Sequence, residues 1–306
     1  MSPGGAGVPP AKTGRVAVVI VNYNGGDEVV DCLHSLVSES PAEIVVVDNA
    51  SMDGSDRRIE STFPSVRMLR NDRNLGFAAP VNQGVRATTA PYVFVVNQDA
   101  IVKAGSVDAL ARALDAHPRA AAAGALVRNP DGTVQPTKRA FPSLGQSFWH
   151  GIVGIFRTSN PGTRGYLLSD DDFTSDRTVD WVAGPAMAVR REAFDAVGGF
   201  DEAFFFFVED VDLCKRFWDA GFEVWFVPGA EVTHAWGGSW TKRPLRFMWM
   251  HQRNLFRYVT KHYRGTWVLA YPVIAGGLLV RFVLLALRWA ITKRSVPAHR
   301  TSGGSS

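Results

Sequence analysis

Cysteine is scarce in this chain of 306 residues, which contains only Cys32 and Cys214. Two thiols allow at most one disulfide, which argues against the small secreted proteins built on disulfide frameworks. Free thiols, as on the cytosolic face of a membrane, are the simpler interpretation. Charged residues make up only 20% of the chain and apolar residues 46%, so global disorder is also disfavoured. This composition predicts a hydrophobic core in one large domain or two small ones.

The first 14 residues lack an apolar run and are rich in glycine and proline. A secretory signal peptide needs such a run, so we expect none here. We expect residues 1–14 to form a disordered tail, and the folded part of the chain to begin at about residue 15.

Acidic residues are absent after Glu231, although this C-terminal stretch contains 12 lysines and arginines. The rest of the chain holds 21 basic against 29 acidic residues, so an acidic body carries a basic tail. Within the tail, residues 267–287 are apolar except for Arg281 and are long enough to span a bilayer. However, Arg281 would cost about 2.5–3.5 kcal/mol near the bilayer centre, and Pro272 and Gly276 weaken a single straight span.

We therefore expect the tail to form a helix in the membrane interface, with its basic groups on lipid phosphates. The predicted membrane contact covers residues 242–294, and Arg281 and Arg288 fall on one side of such a helix because they are seven residues apart. One transmembrane helix, a helix packed on the body and an oligomer contact are the alternatives, so a homo-oligomer stays open. A nucleic-acid partner is not expected, because residues 267–287 are too apolar for that role.

Two common phosphate-binding motifs are also missing. No G-x-G-x-x-G follows the first predicted strand, and no G-x-x-x-x-G-K-[ST] occurs. The usual dinucleotide and P-loop sites are therefore disfavoured.

Short β-branched runs alternate with stretches of helical periodicity through much of the chain. Such alternation predicts an α/β fold with a parallel sheet covered by helices. The predicted strands cover residues 16–21, 44–47, 66–69, 92–96, 186–189 and 223–227. The predicted helices lie at about residues 29–37, 56–62, 78–87, 105–117, 191–197 and 209–220.

Polar side chains directly follow three of these strands. The pairs are Asn22 with Asn24, Asp48 with Asn49, and Asn97 with Asp99. Each pair alone is ordinary turn chemistry. Because ligands bind at the carboxyl ends of strands in parallel sheets, the three together predict a binding site.

Three carboxylates open the helix predicted at residues 209–220. Asp210 projects on the apolar side of this helix, and an inward-facing acid is a candidate proton acceptor. Asp212 can pair with Lys215 or Arg216 one turn later, which suggests a structural role. The alternative is that Glu209, Asp210 and Asp212 only complement the helix dipole.

Two further segments leave their roles open. Residues 141–173 have an irregular pattern, which fits a mobile lid, a wall of an acceptor site or a membrane-touching loop. His234 stands at a predicted strand end, where histidine is usually structural. It becomes a metal-ligand candidate if Asp99 needs a partner.

Six short motifs resemble family 2 glycosyltransferases by their order along the chain. More narrowly, they resemble the rhamnosyltransferase-like branch that includes mycobacterial cell-wall linker enzymes. The resemblance extends over about residues 15–240. The motifs occupy residues 19–24 (VIVNYN), 47–55 (VDNASMDGS), 74–77 (NLGF), 97–99 (NQD), 198–202 (GGFDE) and 209–213 (EDVDL).

This resemblance implies a GT-A fold, which is a Rossmann-like, mostly parallel sheet flanked by helices. It also implies a nucleotide-sugar donor, a divalent metal and inversion at the anomeric carbon. Residues 15–100 would form the nucleotide-sugar-binding half and residues 101–240 the acceptor-binding and catalytic half. Residues 241–306 would form a membrane-associated helical tail.

The resemblance also implies roles for individual residues. Asp48 would accept a hydrogen bond from the N3–H of the base, Asp210 would be the catalytic base and Glu209 would orient the acceptor. Trp181 and Gly184 would lie near the acceptor. The implied nucleotide-sugar-binding residues are Asn22, Tyr23, Asn24, Asp48, Asn49, Ser51, Asn74, Gly76, Asn82 and Asn97.

The implied metal ligands are Asp99 and His234. Family members often have Asp-x-Asp or Asn-Pro-Asp where this chain has Asn97, Gln98 and Asp99, so one carboxylate remains. His234, diphosphate oxygens and water would complete the coordination. Oxygen ligands with one imidazole suit Mn²⁺, and Mg²⁺ is the alternative.

Together these features predict an inverting, metal-dependent glycosyltransferase on the cytoplasmic face of the cell membrane. Its expected donor is dTDP-rhamnose, and its expected acceptor is a polyprenyl-diphosphate-linked saccharide of the cell envelope. One alternative is a UDP-sugar-dependent transferase for capsule or O-antigen. Another is a non-catalytic scaffold that binds nucleotide sugars, which the reduced metal motif favours.

Overall fold

The protein is described by a computed structural model that covers residues 14–141, 153–157, 160–168, 173–234 and 244–295. Residues 1–13 of the predicted tail lie outside these ranges, as do residues 142–152, 158–159 and 169–172 of the irregular segment at 141–173. Within them, Cys32 and Cys214 are both buried and free of any disulfide, as the sequence suggests.

Eleven strands lie within the described ranges. They are β1 (Val16–Asn22), β2 (Glu43–Asp48), β3 (Arg67–Arg70), β4 (Tyr92–Asn97), β5 (Ala100–Val102), β6 (Ala120–Arg128), β7 (Lys138–Arg139), β8 (Arg177–Thr178), β9 (Trp181–Val182), β10 (Ala186–Arg190) and β11 (Glu223–His234).

The helices in the same part of the chain are mostly short, except near the C-terminus. They are α1 (Glu28–Val37), α2 (Ser55–Thr62), α3 (Ala78–Arg86), α4 (Ser106–Ala116), α5 (Gly154–Phe156), α6 (Pro161–Leu167), α7 (Arg191–Ala196), α8 (Glu209–Asp219), α9 (Pro244–His262), a 3₁₀ helix (Gly265–Ala270) and α10 (Tyr271–Ser295).

A nine-stranded sheet forms the centre of the fold, in the order β3-β2-β1-β4-β10-β6-β11-β5, with β8 beside β11. Strands β3, β2, β1 and β4 are parallel, β10 runs against β4, and β6 and β11 return to the first direction. The carboxyl ends of β1, β2, β4 and β11 therefore meet the amino end of β10 at one edge. This arrangement confirms the predicted α/β class with a mostly parallel sheet.

The alternation of side chains in β1 explains its unbroken apolar sequence. Val18 and Ile20 pack in the core beneath α1 and α4, whereas Val19 between them packs against α3 on the opposite face. Because both faces are covered by helices, a strand of this kind needs apolar residues at every position.

Strands β1, β2 and β4 each run one residue beyond the predicted end. Asn22 pairs with Asp48 in register, and Asn97 pairs with Val21, so these polar residues continue the ladder. Strand β11 extends seven residues beyond the predicted end at Val227, after a register shift between Val227 and Glu231. Pro228 and Gly229 conceal this continuation in the sequence, because both residues usually interrupt strands.

Helix α9 packs on the body of the protein, and α10 packs on α9. Tyr258 of α9 is fully buried in the same core as α8. The stretch Gly265–Thr292 is long and apolar enough to cross a membrane by length and composition, with a mean hydropathy of 2.1 and no burial in its apolar window.

Two arginines in α10 correct the expectation that they contact lipid phosphates. Arg281 donates a 2.8 Å hydrogen bond to Gln252 on α9 and lies 3.3 Å from His251. Arg288 donates to the carbonyl of Ile155. Both therefore face protein groups, because neighbouring segments supply acceptors on that side of the helix.

Candidate active site

The amide of Asn22 organises the loop after β2. Its Nδ2 lies 2.7 Å from Asp48 Oδ1, 3.1 Å from Ser51 Oγ and 2.9 Å from Ser55 Oγ. The other oxygen of Asp48 accepts the N–H of Ser51 at 3.1 Å. Asn22 and Asp48 are almost fully buried, so the two strand ends form one connected polar network. Asp48 retains unused lone pairs that a base N–H could reach.

The loop after β1 is held from two sides. Asn24 donates its N–H to Ser51 Oγ at 2.9 Å, and its side chain accepts from the N–H of Met52 at 2.8 Å. Gln98, which the sequence analysis did not select, accepts from the N–H of Tyr23 at 2.7 Å and donates to the carbonyl of Tyr23 at 3.3 Å. Tyr23 is 36% exposed and remains open to a ligand.

Asn49 is buried and uses its whole side chain within the protein. It donates to Asn74 Oδ1 at 3.0 Å and to the Gly76 carbonyl at 2.7 Å, and it accepts from the N–H of Leu75 at 3.0 Å and from Asn71 at 3.2 Å. These contacts favour a structural role for Asn49, which shapes the loop at residues 74–76. Direct donor binding by Asn49, Asn74 and Gly76 stays a prediction.

Asn82 on α3 joins that helix to the Gly198–Glu202 motif. It accepts from the N–H of Phe200 at 2.9 Å and donates to the Phe200 carbonyl at 2.9 Å and to Glu202 at 3.0 Å. The amide is 4% exposed, so these contacts favour a positioning role. Contact between Asn82 and a ribose or diphosphate stays a prediction.

Asp99 and His234 lie side by side although they are 135 positions apart in the sequence. Strand β5 pairs with the end of β11, which brings Asp99 Oδ1 to 3.2 Å from His234 Nε2. Asn97 Nδ2 is also 3.2 Å from this nitrogen. The other ring nitrogen, Nδ1, faces Gln135 Oε1 at 3.4 Å.

These contacts determine which nitrogen of His234 is free for a ligand. Gln135 donates its amide to the His234 carbonyl at 2.6 Å, which directs Oε1 toward Nδ1 and places the ring proton there. The lone pair of Nε2 then faces Asp99, as in histidines that bind metals. The two residues fit a divalent cation, but no cluster of three His, Cys, Asp or Glu occurs within the described ranges.

Asp210 and Glu209 begin helix α8, after two residues with left-handed backbone. Phe207 and Val208 have φ of 71° and 73°, a conformation that L-residues rarely adopt. Asp210 Oδ2 accepts from the N–H of Gly184 at 3.0 Å, and Glu209 Oε2 is buried with no hydrogen-bond partner within the described residues.

Burial dominates the electrostatics of both acids. It raises the pKa of Asp210, although the N–H groups of Gly184 and Val211 and the charge of Arg139 oppose the shift. Burial, followed by the adjacent Asp210 charge, raises the pKa of Glu209 well above its usual range. A carboxylate with a raised pKa is the stronger proton acceptor, as a general base requires.

Gly184 connects these acids to the ends of the strands. It lies just before β10, and the neighbouring Pro185 accepts the N–H of Asn97 at 3.0 Å. The predicted catalytic base, Asp210, and the predicted metal ligand Asp99 therefore lie along one continuous edge of the sheet.

Asp212, by contrast, has only structural partners. It is fully buried and pairs with Arg216 at 2.8 Å, which confirms one of its two predicted partners. The other, Lys215, pairs with Asp219 instead. Lys261 and His262 of α9 also bind it, at 2.8 and 2.7 Å.

Arg139 is a residue of this site that the sequence analysis missed. Its guanidinium lies 5.0 Å from the ring of Trp181 and 5.7 Å from that of Tyr166. Trp181 is 4% exposed and donates to the carbonyl of Ala140, so it supports this wall from beneath. No acid-base motif surrounds Arg139 in the sequence, which is why pattern analysis did not find it.

Two family profiles match the chain. The profile described as Glycosyl transferase family 2 covers residues 17–198, which is more than half of the chain. The chain belongs to glycosyltransferase family 2. A second profile, described as the N-terminal domain of galactosyltransferase, covers residues 168–236 and so includes Asp210 and His234.

Curated relatives agree with membership of glycosyltransferase family 2. N-acetylglucosaminyl-diphospho-decaprenol L-rhamnosyltransferase from Mycobacterium tuberculosis is 36% identical over 268 residues, covering 83% of this chain and 87% of the relative. Rhamnosyltransferase WbbL from Escherichia coli is 29% identical over 185 residues, covering 60% of this chain and 67% of the relative. The predicted enzyme class, a glycosyltransferase, is thereby confirmed.

A solved structure confirms the fold. Mannosyltransferase PcManGT from Pyrobaculum calidifontis, in complex with GDP-Man and Mn²⁺, superposes with a TM-score of 0.56 at 18% identity. The superposition covers 96% of this chain and 85% of that protein. The GT-A fold of this family 2 glycosyltransferase is therefore as predicted.

Proposed function

We propose that this family 2 glycosyltransferase is an inverting, metal-dependent rhamnosyltransferase of cell-envelope synthesis. It transfers L-rhamnose from dTDP-rhamnose to a polyprenyl-diphosphate-linked N-acetylglucosamine. The name of the mycobacterial relative supports the rhamnosyl group and the lipid-linked acceptor, because its similarity extends through most of both chains. The dTDP carrier of the rhamnose belongs to the proposal itself. The reaction type rests on one observation, which is the half-buried Asp210 held by Gly184 beside the polar ends of the strands.

In this proposal, Asp210 acts as the general base. The acceptor hydroxyl attacks the anomeric carbon of rhamnose, and its proton passes to a carboxylate oxygen of Asp210. The bond from the anomeric carbon to the diphosphate breaks, and dTDP leaves with the bonding electrons. A single displacement of this kind inverts the anomeric configuration. Glu209 contributes by orienting the acceptor.

The donor side is assigned to the polar strand ends. Asn22, Tyr23, Asn24 and Ser51 line the nucleotide pocket, and Asp48 reads the base N–H. Asp99 and His234 would hold Mn²⁺ or Mg²⁺, which supplies positive charge to the departing diphosphate. The Nε2 lone pair and the Asp99 carboxylate, 3.2 Å apart, support this assignment.

The acceptor side is assigned to the opposite wall and the tail. The exposed apolar residues of α10 support contact with the cytoplasmic face of the cell membrane, where a polyprenyl diphosphate is anchored. This contact would be peripheral, because Arg281 and Arg288 bind α9 and the segment at residue 155.

The test is release of nucleoside diphosphate by the full-length protein in detergent. We expect release from dTDP-rhamnose that requires both Mn²⁺ and a polyprenyl-diphosphate-GlcNAc acceptor, and that EDTA abolishes. Asp99→Ala should remove the metal dependence of donor binding, measured by titration without acceptor. If this variant binds the donor equally with and without metal, Asp99 is a metal ligand. If its donor binding depends on metal as in the wild type, Asp99 has only a structural role.

The alternatives predict different results in the same assay. Release from a UDP-sugar but not from dTDP-rhamnose would replace the donor and retain the mechanism. Tight nucleotide-sugar binding without release, under all donors and acceptors, would favour a non-catalytic scaffold.

A further inference from the structure

We infer that Arg139 binds the diphosphate of the lipid-linked acceptor, which makes strands β7 and β9 an anion subsite of the acceptor wall. This inference rests on the proposed function, because it assumes an acceptor that carries a diphosphate. It adds a binding residue that no motif assigns and names the part of the acceptor that the residue recognises.

The two-stranded sheet fixes the position of Arg139. Strands β7 and β9 are antiparallel, with Arg139 directly opposite Trp181. Arg139 Nε donates to the carbonyl of Pro136 at 2.8 Å, which orients the guanidinium over the aromatic rings of Trp181 and Tyr166. Stacking of this kind leaves the edge of the guanidinium fork available for a ligand.

The charge of Arg139 is not neutralised by a neighbouring acid. Within the described residues, no Asp or Glu lies within ion-pair distance of its guanidinium, whereas Arg216 on α8 pairs with Asp212 at 2.8 Å. Arg139 does interact electrostatically with Asp210. Its positive charge lowers the pKa of that carboxyl and so opposes the effect of burial. A half-buried cation without an acid partner, close to the catalytic base, fits an anionic group of the substrate.

The aromatic platform also connects Arg139 to the apolar tail. Tyr166, which stacks on Arg139, interacts electrostatically with Arg281 of α10. Arg288 of the same helix binds the carbonyl of Ile155. Tyr166 is therefore the residue through which the Arg139 platform interacts with the apolar helix.

This order matches the chemical order of the acceptor. A polyprenyl-diphosphate sugar has its reactive hydroxyl at one end, the diphosphate next to the sugar and the lipid at the other end. In the protein, Arg139 interacts electrostatically with Asp210, and Tyr166 beside Arg139 interacts with Arg281 of α10, so Arg139 is linked to both groups. A planar guanidinium also binds phosphate oxygens through two parallel hydrogen bonds, so arginine suits this position better than lysine.

The experiment compares two acceptors that differ only in the anionic linkage. One is GlcNAc joined to a short prenyl chain through a diphosphate, and the other is a neutral GlcNAc glycoside of the same chain. Arg139→Gln should raise KM for the diphosphate acceptor about 10- to 100-fold, with the donor KM unchanged. On the neutral acceptor, the variant and the wild type should give equal KM values, measured on the alkaline plateau of the pH profile, where Asp210 is ionised in both. The KM of Arg139→Lys for the diphosphate acceptor should lie between those of the wild type and Arg139→Gln. Lysine keeps the positive charge but lacks the planar guanidinium that donates two parallel hydrogen bonds.

Arg119→Gln is the matched control. Arg119 pairs with Glu223 on the exposed surface at the start of β6, so this change removes one positive charge away from the site. It should leave KM for both acceptors unchanged. The melting temperature and donor affinity of each variant report whether the fold is intact.

A binding measurement without donor separates this inference from the proposed function. The diphosphate acceptor should bind the wild type at least tenfold more tightly than Arg139→Gln. Equal affinity, or equal losses on the neutral and diphosphate acceptors, would overturn the role of Arg139. Absence of transfer from dTDP-rhamnose by the wild type, with this affinity difference intact, would overturn only the proposed donor.

Discussion

Individual residues of the site differ in whether they face a ligand or support those that do. Asp210 accepts a hydrogen bond from the backbone N–H of Gly184. The side-chain amide of Asn49, by contrast, forms its hydrogen bonds with the loop at residues 74–76. Both residues stand in polar motifs, so the sequence assigns them comparable importance. The hydrogen bonds separate the proposed proton acceptor, Asp210, from an amide whose contacts lie within the protein.

Asp210→Asn removes the proton acceptor while keeping the shape of the side chain. We expect kcat to fall by about 10²- to 10⁴-fold, with nucleotide-sugar affinity nearly unchanged. In the wild type, the base acts only when ionised, so the rate should fall as the pH drops through its raised pKa. The acid limb should therefore lie above the range of an ordinary aspartate and should be absent in the variant. Near-normal turnover by a folded variant would contradict the assignment.

Glu209→Gln tests the electrostatic strain at the start of α8. Burial and the Asp210 charge raise the pKa of Glu209 in the folded state, so the unfolded chain loses its proton first as the pH rises. The wild type thus loses stability between the ordinary and the raised pKa, and the variant does not. The unfolding free energy of the variant relative to wild type should increase as the pH rises above the ordinary pKa of glutamate, measured by urea denaturation at a series of pH values.

Glu60→Gln provides the opposite sign as a control. A hydrogen bond and the charge of Arg70 lower the pKa of Glu60, so its contribution is present at neutral pH and is lost as the pH falls. This variant should become less stable relative to wild type as the pH rises. The same pH trend in both variants would contradict the explanation for Glu209.

At the scale of elements, two loops meet at Gly76. Gly76 has φ of +86°, and a Cβ atom there would lie 2.0 Å from the carbonyl oxygen of Phe205. The next residue, Phe77, donates its N–H to this same carbonyl at 2.7 Å. Glycine therefore allows the NLGF motif to contact the aromatic run that precedes α8.

Gly76→Ala should separate these loops. We expect a loss of about 2–4 kcal/mol in unfolding free energy, because left-handed strain adds to a backbone clash. Gly132→Ala is the matched control, since Gly132 has φ of +84° with no atom within 4 Å of its Cβ position. The control should lose only about 1–2 kcal/mol from the strain. Equal losses in denaturant melts would show that the contact with Phe205 is not important.

Helix α9 is attached to α8 and to the turn before it through charged and polar contacts. Lys261 binds Asp201 at 2.6 Å and Asp212 at 2.8 Å, and Asn254 donates to the carbonyls of Phe206 and Phe207. The basic tail thus supports the strained turn before α8. Part of its charge is explained by this structural role and not by lipids.

Lys261→Met should weaken this attachment. Asp212 is fully buried and would lose one of its cationic partners, so we expect about 1–3 kcal/mol of destabilisation in denaturant melts. Lys103→Met removes a cation of similar length from an exposed pair with Glu231 and should cost less than about 1 kcal/mol. Equal effects of the two changes would mean that the pairing of α9 with α8 contributes little.

At the scale of the whole molecule, the α/β body carries the helix pair α9 and α10, whose outer surface is apolar. Leu269 and Val273 are 84% and 77% exposed, and Ile291 is 67% exposed. Exposed apolar area of this extent indicates an interaction surface. A lipid surface is the proposed occupant, because the predicted acceptor is lipid-linked.

A double change of Leu269→Asp and Val273→Asp should weaken membrane binding. Flotation with anionic phospholipid vesicles should show a fall of at least about tenfold in affinity. Two apolar side chains that would enter the bilayer are replaced by charged ones. Val37→Asp changes an exposed apolar residue at the end of α1 and should have no effect. Unchanged flotation of the double variant, or a stable dimer that does not bind vesicles, would favour an oligomer contact.

The sequence by itself determined the local features of this protein. Apolar runs of strand length, the polar residues that end them and the acidic start of α8 all depend on neighbouring residues. The structure contains the predicted strands and helices within one residue of their expected bounds, except that β11 extends seven residues further. The order of the motifs was sufficient to predict the GT-A fold. The split of the chain into halves at residue 100 stays a prediction, since one sheet runs through both.

Tertiary structure alone decided which distant groups meet. Arg139 approaches Asp210, Lys261 and His262 reach Asp212, and Arg281 binds Gln252, although no local pattern relates these residues. Periodicity reports only which side of an element is apolar. The partner of a polar side chain depends on how elements pack across the whole chain, because a buried charge must find its counterpart wherever the fold brings one.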